Sequence, residues 1–147
     1  MFLLDTNIVS ATSPVAAAQS TRPPILGWLE LHGSEIYLSS VTIAEIWHGI
    51  HRAERIEAVT KAKRLRNWVT LIENLYGSRI LPFGIKEAYA AGAILDRARA
   101  YEPGFADVAV AATADANGLT VLTANEKHFD PMGVKWWNPL KELPSSA

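Results

Sequence analysis

Five short apolar runs recur along this chain, and helix-like patterns or turns separate them. They are residues 2–4, 36–40, 79–82, 119–123 and 134–137, the last a short edge-strand pattern. Each is long enough to cross a sheet once and no more. Most of the segments between them repeat apolar residues at three- and four-residue spacing. Strands that alternate with helices return to the sheet by crossovers, so neighbouring strands run parallel and helices cover both faces. The pattern predicts a three-layer α/β/α fold around a central, mainly parallel sheet of four to five strands.

Between the runs, a helix is expected to start at Thr6-Asn7. Residues 12–24, rich in Ala, Ser, Thr and Pro, read as a loop or frayed helix end, and 25–32 as a short helix ended by Gly33. Thr42 opens a longer helix with Ile43, Ile46, Trp47 and Ile50 on its apolar face. Ile56, Val59, Ala62, Leu65 and Val69 continue that stripe through one or two helices to Tyr76-Gly77. Residues 85–101 form a helix with Ile85, Ala88, Tyr89, Gly92 and Leu95 on one face, broken by Glu102-Pro103-Gly104. Residues 105–117 are small and apolar after Asp107, as a buried central helix requires, and Gly118 stops them. The chain of 147 residues suits one domain with a real core, expected over 1–143, with 144–147 as a disordered tail.

Charge and composition narrow the chemistry. A net charge of −1 argues against a general polybasic coat and leaves room for a local basic face. The absence of cysteine excludes disulfide and thiolate chemistry and suits a reducing compartment. The apolar run after Met1 is too short for a signal peptide and has no basic leader, and no later segment could span a membrane. A soluble cytoplasmic protein is expected. There is no Gly-rich phosphate loop and no serine nucleophile elbow.

Four polar residues stand at strand ends or helix starts. Asp5 follows the first strand, and Glu45 lies just past the second, in the first turn of its helix. Asp107 begins the buried helix that feeds the fourth strand, and Asn125 follows that strand. Ligands of open α/β sheets collect outside the carboxyl ends of the strands, so all four can meet at one edge. Three gathered carboxylates repel one another, and a hard divalent cation resolves the repulsion. Mg²⁺ fits oxygen ligands with room for water, Mn²⁺ would substitute, and such a centre suits phosphodiester hydrolysis. Each residue also has an ordinary role open to it. Asp5 can cap a helix, Thr42 to Glu45 reads as a capping box, Asp107 suits a helix dipole, and Asn125 is a common turn residue. Spacing alone leaves both readings open.

As an ordered set, FLLDTNIVS, SSVTIAEIWHGI, ILPF, FADVAVAATADANGL and VLTANEKHF resemble the PIN domain family, specifically the VapC/FitB-like toxins of bacterial toxin–antitoxin pairs. The resemblance spans nearly the whole chain. It implies a Mg²⁺- or Mn²⁺-dependent endoribonuclease, a homodimer, and a cognate antitoxin that lays a helix in an apolar groove. Toxin and antitoxin would then form a hetero-oligomer. Asp5, Glu45 and Asp107 match the family's metal-site acids. Asn125 matches a fourth position that is Asp in many members, and Glu126 stands beside it. Thr6 and Thr123 match supporting hydroxyls. Where the family often has Arg after the strand-four threonine, this chain has Ala124. The groove is expected along Ile43–Val69, with Trp47 and Trp68. Arg52, Arg55, Lys61, Lys63, Arg64, Arg66, Arg97 and Arg99 are the candidate phosphate contacts. Two other readings compete. A phosphatase with Asp5 as nucleophile would want an acid where Asn7 stands, and a PIN-like binding module with a degenerate metal site is suggested by Asn125.

Overall fold

The computed structural model describes residues 1–14 and 23–145. Most of the expected loop at 12–24, and the last two residues of the expected tail, lie outside the described residues. Pro144 of that tail is described and buried.

The strands are β1 (Phe2–Leu4), β2 (Ile36–Ser39), β3 (Ile80–Leu81), β4 (Thr120–Leu122) and β5 (Trp136–Trp137). They form one five-stranded sheet in the order β3-β2-β1-β4-β5, and every pairing is parallel. Seven α-helices occur among the described residues: α1 (Thr6–Ala11), α2 (Pro24–Leu31), α3 (Ser40–Arg55), α4 (Val59–Tyr76), α5 (Ile85–Arg97), α6 (Phe105–Ala116) and α7 (Glu126–Phe129). The three-layer α/β/α expectation is borne out, with five strands.

Strand side chains alternate between the two faces of the sheet. Leu4 and Leu122 join a core with Ile36, Leu38 and the inner sides of α1 to α4. Leu3 and Val121 point the other way, into a core made with α5, α6 and Phe129 of α7. Apolar residues on both faces are what a parallel sheet inside two helical layers demands. The chain runs from β1 out to β2 and β3, then crosses back to β4 on the far side of β1. The strand order therefore reverses between β1 and β4, and a crevice opens at their carboxyl ends.

Two sequence expectations need correction. The capping box proposed at Thr42 is absent, because α3 begins earlier. Ser39 is its N-cap and accepts the Val41 N–H at 3.1 Å. Thr42 is buried inside the helix, and Glu45 sits in the second turn. Adjacent serines outcompete a threonine three residues later because they let the helix start directly off β2. The second correction concerns α5, whose inner face carries Glu87, Ala91 and Ile94, followed by Ala98. The expected apolar face points outward, with Ile85 72% and Tyr89 77% exposed. Glu87 can be buried because the Gly84 N–H and the Asn117 amide both donate to it. The long pattern after Thr42 resolves into two helices, α3 and α4, broken where Glu57 adopts φ 61°.

Candidate metal-binding active site

β1 delivers Asp5 into the crevice, and the parallel register with β4 fixes its neighbours. Leu4 pairs with Leu122, and the Asp5 N–H donates to the Leu122 carbonyl at 2.9 Å. That places Thr123 beside the Asp5 side chain. The Thr123 hydroxyl donates to Asp5 Oδ2 at 2.8 Å, and the Thr6 N–H donates to Oδ1 at 2.8 Å. Asp5 is therefore both the N-cap of α1 and a carboxylate aimed at the sheet edge. Thr123 is fully buried and also accepts the Asn125 N–H at 2.9 Å. One hydroxyl thus ties the end of β1 to the turn after β4.

Glu45 and Asp107 reach the same region from other elements. The Thr6 hydroxyl hydrogen-bonds Glu45 Oε1 at 2.6 Å and Thr42 Oγ1 at 3.0 Å, linking α1 to α3. Asp107, in the first turn of α6, is 2.9 Å from Nδ1 of His128 on α7. Burial pushes the Asp5 carboxyl up from 3.8 to about 6. Hydrogen bonds from Thr123 and the Thr6 N–H oppose the rise, and the charges of Asp107 and Glu45 add to it. These two acids are thus the ones whose charge Asp5 feels.

The fourth position is weaker. Asn125 is exposed, and its side chain has no hydrogen-bond partner among the described residues. Beside it, Glu126 is engaged by two other side chains: Lys141 donates to one carboxylate oxygen at 2.8 Å and the Asn138 amide to the other at 3.3 Å. Hydrogen bonding to Lys141 keeps the Glu126 carboxyl below its ordinary range. Ala124 contributes its N–H to Asn7 Oδ1 at 3.4 Å. The Nδ2 of Asn7 is then left buried without an acceptor, an uncommon condition that suits a crevice built to receive something polar.

Among the described residues, no three His, Asp or Glu side chains are gathered tightly enough to hold a metal ion as they stand. Each acid is instead satisfied by a protein donor: Asp5 by Thr123, Glu45 by Thr6, Asp107 by His128. The donor set nevertheless fits a hard divalent cation, being three carboxylates from three elements, one of them buried and resisting ionisation. His128 was not legible in the sequence. Its signal is the three-residue step from Asn125 along a four-residue helix, too short for any periodicity to show. Among the proposed phosphate contacts, Arg66 is engaged by Glu54 at 2.6 Å, and Arg97 donates to the Met132 carbonyl at 2.7 Å. No helix among the described residues is long and apolar enough to cross a membrane.

The pattern of the PIN domain matches residues 2–134. The chain is 32% identical over 142 residues to Toxin FitB of Neisseria gonorrhoeae, covering 95% of this chain and 98% of that protein. It is 29% identical over 146 residues to VapC ribonuclease Y4jK of Sinorhizobium fredii, with 95% and 97% covered. Among solved structures, the crystal structure of FitAcB from Neisseria gonorrhoeae aligns with a TM-score of 0.76 at 29% identity, over 95% of this chain and 98% of that one.

Proposed function

The chain belongs to the PIN domain family, and from that membership we propose that it is a divalent-metal-dependent endoribonuclease, the toxin of a bacterial toxin–antitoxin pair. The relatives described above, a toxin and a ribonuclease by name, support this reading. The observation that carries it is Asp5, buried at the point where strand order reverses and raised to about 6 by burial and by its acidic neighbours.

Asp5, Glu45 and Asp107 would hold the cation, Mg²⁺ or Mn²⁺, with Asn125 offering an uncharged oxygen. When bound, the cation acidifies a water and neutralises charge developing on the phosphate. The chain's own part is positioning. Thr123 and the Thr6 N–H fix both oxygens of Asp5, the Thr6 hydroxyl fixes Glu45, and His128 fixes Asp107. Partners of this kind orient ligands, and losing one typically costs about 10- to 100-fold in metal affinity or activity.

Two surfaces suit the expected protein partners. A groove of about 320 Å³ lies between α2 and α4, with Leu26, Leu29, Trp68, Leu71, Leu75 and Tyr76 in its walls. It suits the apolar face of an antitoxin helix. Of the Ile43–Val69 stripe only Trp68 is in its wall; the wall otherwise comes mainly from α2 and the end of α4, and Trp47 packs against the core, with the Arg66 guanidinium over its ring. The outward stripe of α5, Ile85 to Leu95, suits a second copy of the chain in a homodimer.

Purified protein incubated with RNA tests the reading. Cleavage is expected with Mg²⁺ or Mn²⁺ and not with EDTA. Asp5→Asn and Asp107→Asn should each lose about 100-fold or more while still melting cooperatively. Equal cleavage in all lanes would overturn the assignment and leave the degenerate binding module in its place.

A further inference from the structure

A cavity of about 370 Å³ opens beside Asp107, with Tyr101, Glu102, Gly104, Lys127 and His128 in its walls. It is near the lower end of the range for small-ligand pockets, roughly 300 to 1,000 Å³. Two segments distant in sequence build it, the break between α5 and α6 and the start of α7. The bond between His128 and Asp107 joins them. Its wall chemistry is unlike that of the apolar groove. Tyr101 is 69% exposed, a large ring left in water at the rim. Lys127 is exposed and has no carboxylate partner among the described residues, whereas Lys141 and Arg66 are both paired. At Gly104 an added Cβ would meet nothing within 4 Å, so that side of the cavity stays open.

An aromatic face, an uncommitted ammonium and a carboxylate rim beside a metal-site acid match the parts of one unpaired nucleotide. Bases freed from a helix stack on aromatic side chains, and phosphates attract Lys. The geometry points to this cavity as the subsite for an unpaired nucleotide of the RNA, adjoining the phosphate that is cut. The base lies on Tyr101, the phosphate meets Lys127, and Glu102 accepts from a ribose hydroxyl or base amino group. The assignment rests on the ribonuclease reading above and goes further in giving Tyr101 and Lys127 to the substrate; a duplex cannot present a splayed base to this concave pocket.

The test uses a short unstructured oligoribonucleotide of mixed sequence and the same strand annealed to its complement. Cleavage is followed with Mn²⁺ for the wild type, Tyr101→Ala, Tyr101→Trp and Lys127→Ala. Affinity is measured by fluorescence anisotropy in the Asp5→Asn background. For the single strand, Tyr101→Ala should raise KM and Kd about 5- to 100-fold with a smaller change in kcat, and Tyr101→Trp should restore both. Lys127→Ala should weaken binding and flatten its salt dependence. The duplex should be a poor substrate that Tyr101→Ala does not worsen. If the wild type cleaves and both alanine variants keep its KM and Kd, the subsite is overturned and the ribonuclease reading stands. If the wild type fails to cleave yet binds RNA through Tyr101, the subsite stands and the ribonuclease reading falls.

Discussion

A carboxyl group that titrates at about 6 in the fold and near 3.8 in an open chain binds its proton more tightly when folded. Below the lower value both states of Asp5 are protonated, and it is neutral in its effect on the pH slope. Between the two values the unfolded chain gives up its proton first, so stability falls as pH rises. Above the upper value the folded protein carries an ionised, buried acid. A displacement of about two pH units corresponds to about 3 kcal/mol of lost stability. In EDTA, the stability of the wild type relative to Asp5→Asn should therefore fall across this window, and Asp5→Asn should melt at the higher temperature near neutral pH. Added Mg²⁺ or Mn²⁺ should reverse the order. Parallel melting curves at all pH values would mean that burial does not govern Asp5. The same contrast explains what was legible in the sequence. Asp5 and Asp107 stand at or near element ends and Glu45 lies early in α3, so their placement at the carboxyl edge of the sheet could be read. The hydroxyl of Thr123 bonding Asp5 across 118 positions has no local signature and was legible only through the family resemblance, and the His128 contact was not legible at all.

Helix faces were legible only where periodicity and burial agree. In α3, Ile46 and Ile50 lie on the face the spacing picks out. In α5 the most apolar stripe by spacing is the solvent-facing one, while the buried side is Glu87, Ala91 and Ile94. A buried glutamate reads as a surface residue until its acceptor role is seen. Burial works to raise its carboxyl, but hydrogen bonds from its own N–H, Asn117 and Gly84, with Lys86 nearby, hold it below the usual range. Its stabilisation is thus present above the ordinary glutamate range and lost as pH falls through the depressed value. Glu87→Ala should destabilise the fold by about 1–3 kcal/mol near neutral pH, because two partly buried donors, the Gly84 N–H and the Asn117 amide, lose their acceptor. Urea melts should show the difference shrinking in acid, and a constant difference would count against this account.

At the scale of the molecule, the apolar groove and the outward stripe of α5 belong to opposite helical layers, one packed on the Leu4 side of the sheet and the other on the Leu3 side. The two proposed docking surfaces therefore do not overlap. Leu71→Asp should abolish co-purification with the antitoxin and leave the dimer intact. Tyr89→Asp should yield monomers that still bind antitoxin. Light scattering coupled to size exclusion, with a pull-down, separates the two, and a variant that loses both partners together would refute the division. The topology also has a bearing on when the site is completed. Asp5 emerges from the ribosome long before Thr123, the residue that holds it, and β1 is bracketed by strands made before and after the crossover. A nascent chain carries one carboxylate of the centre from the outset but lacks the strand that seats it. Asp5 therefore stays unseated until late in synthesis, and the centre is completed only when β4 pairs with β1.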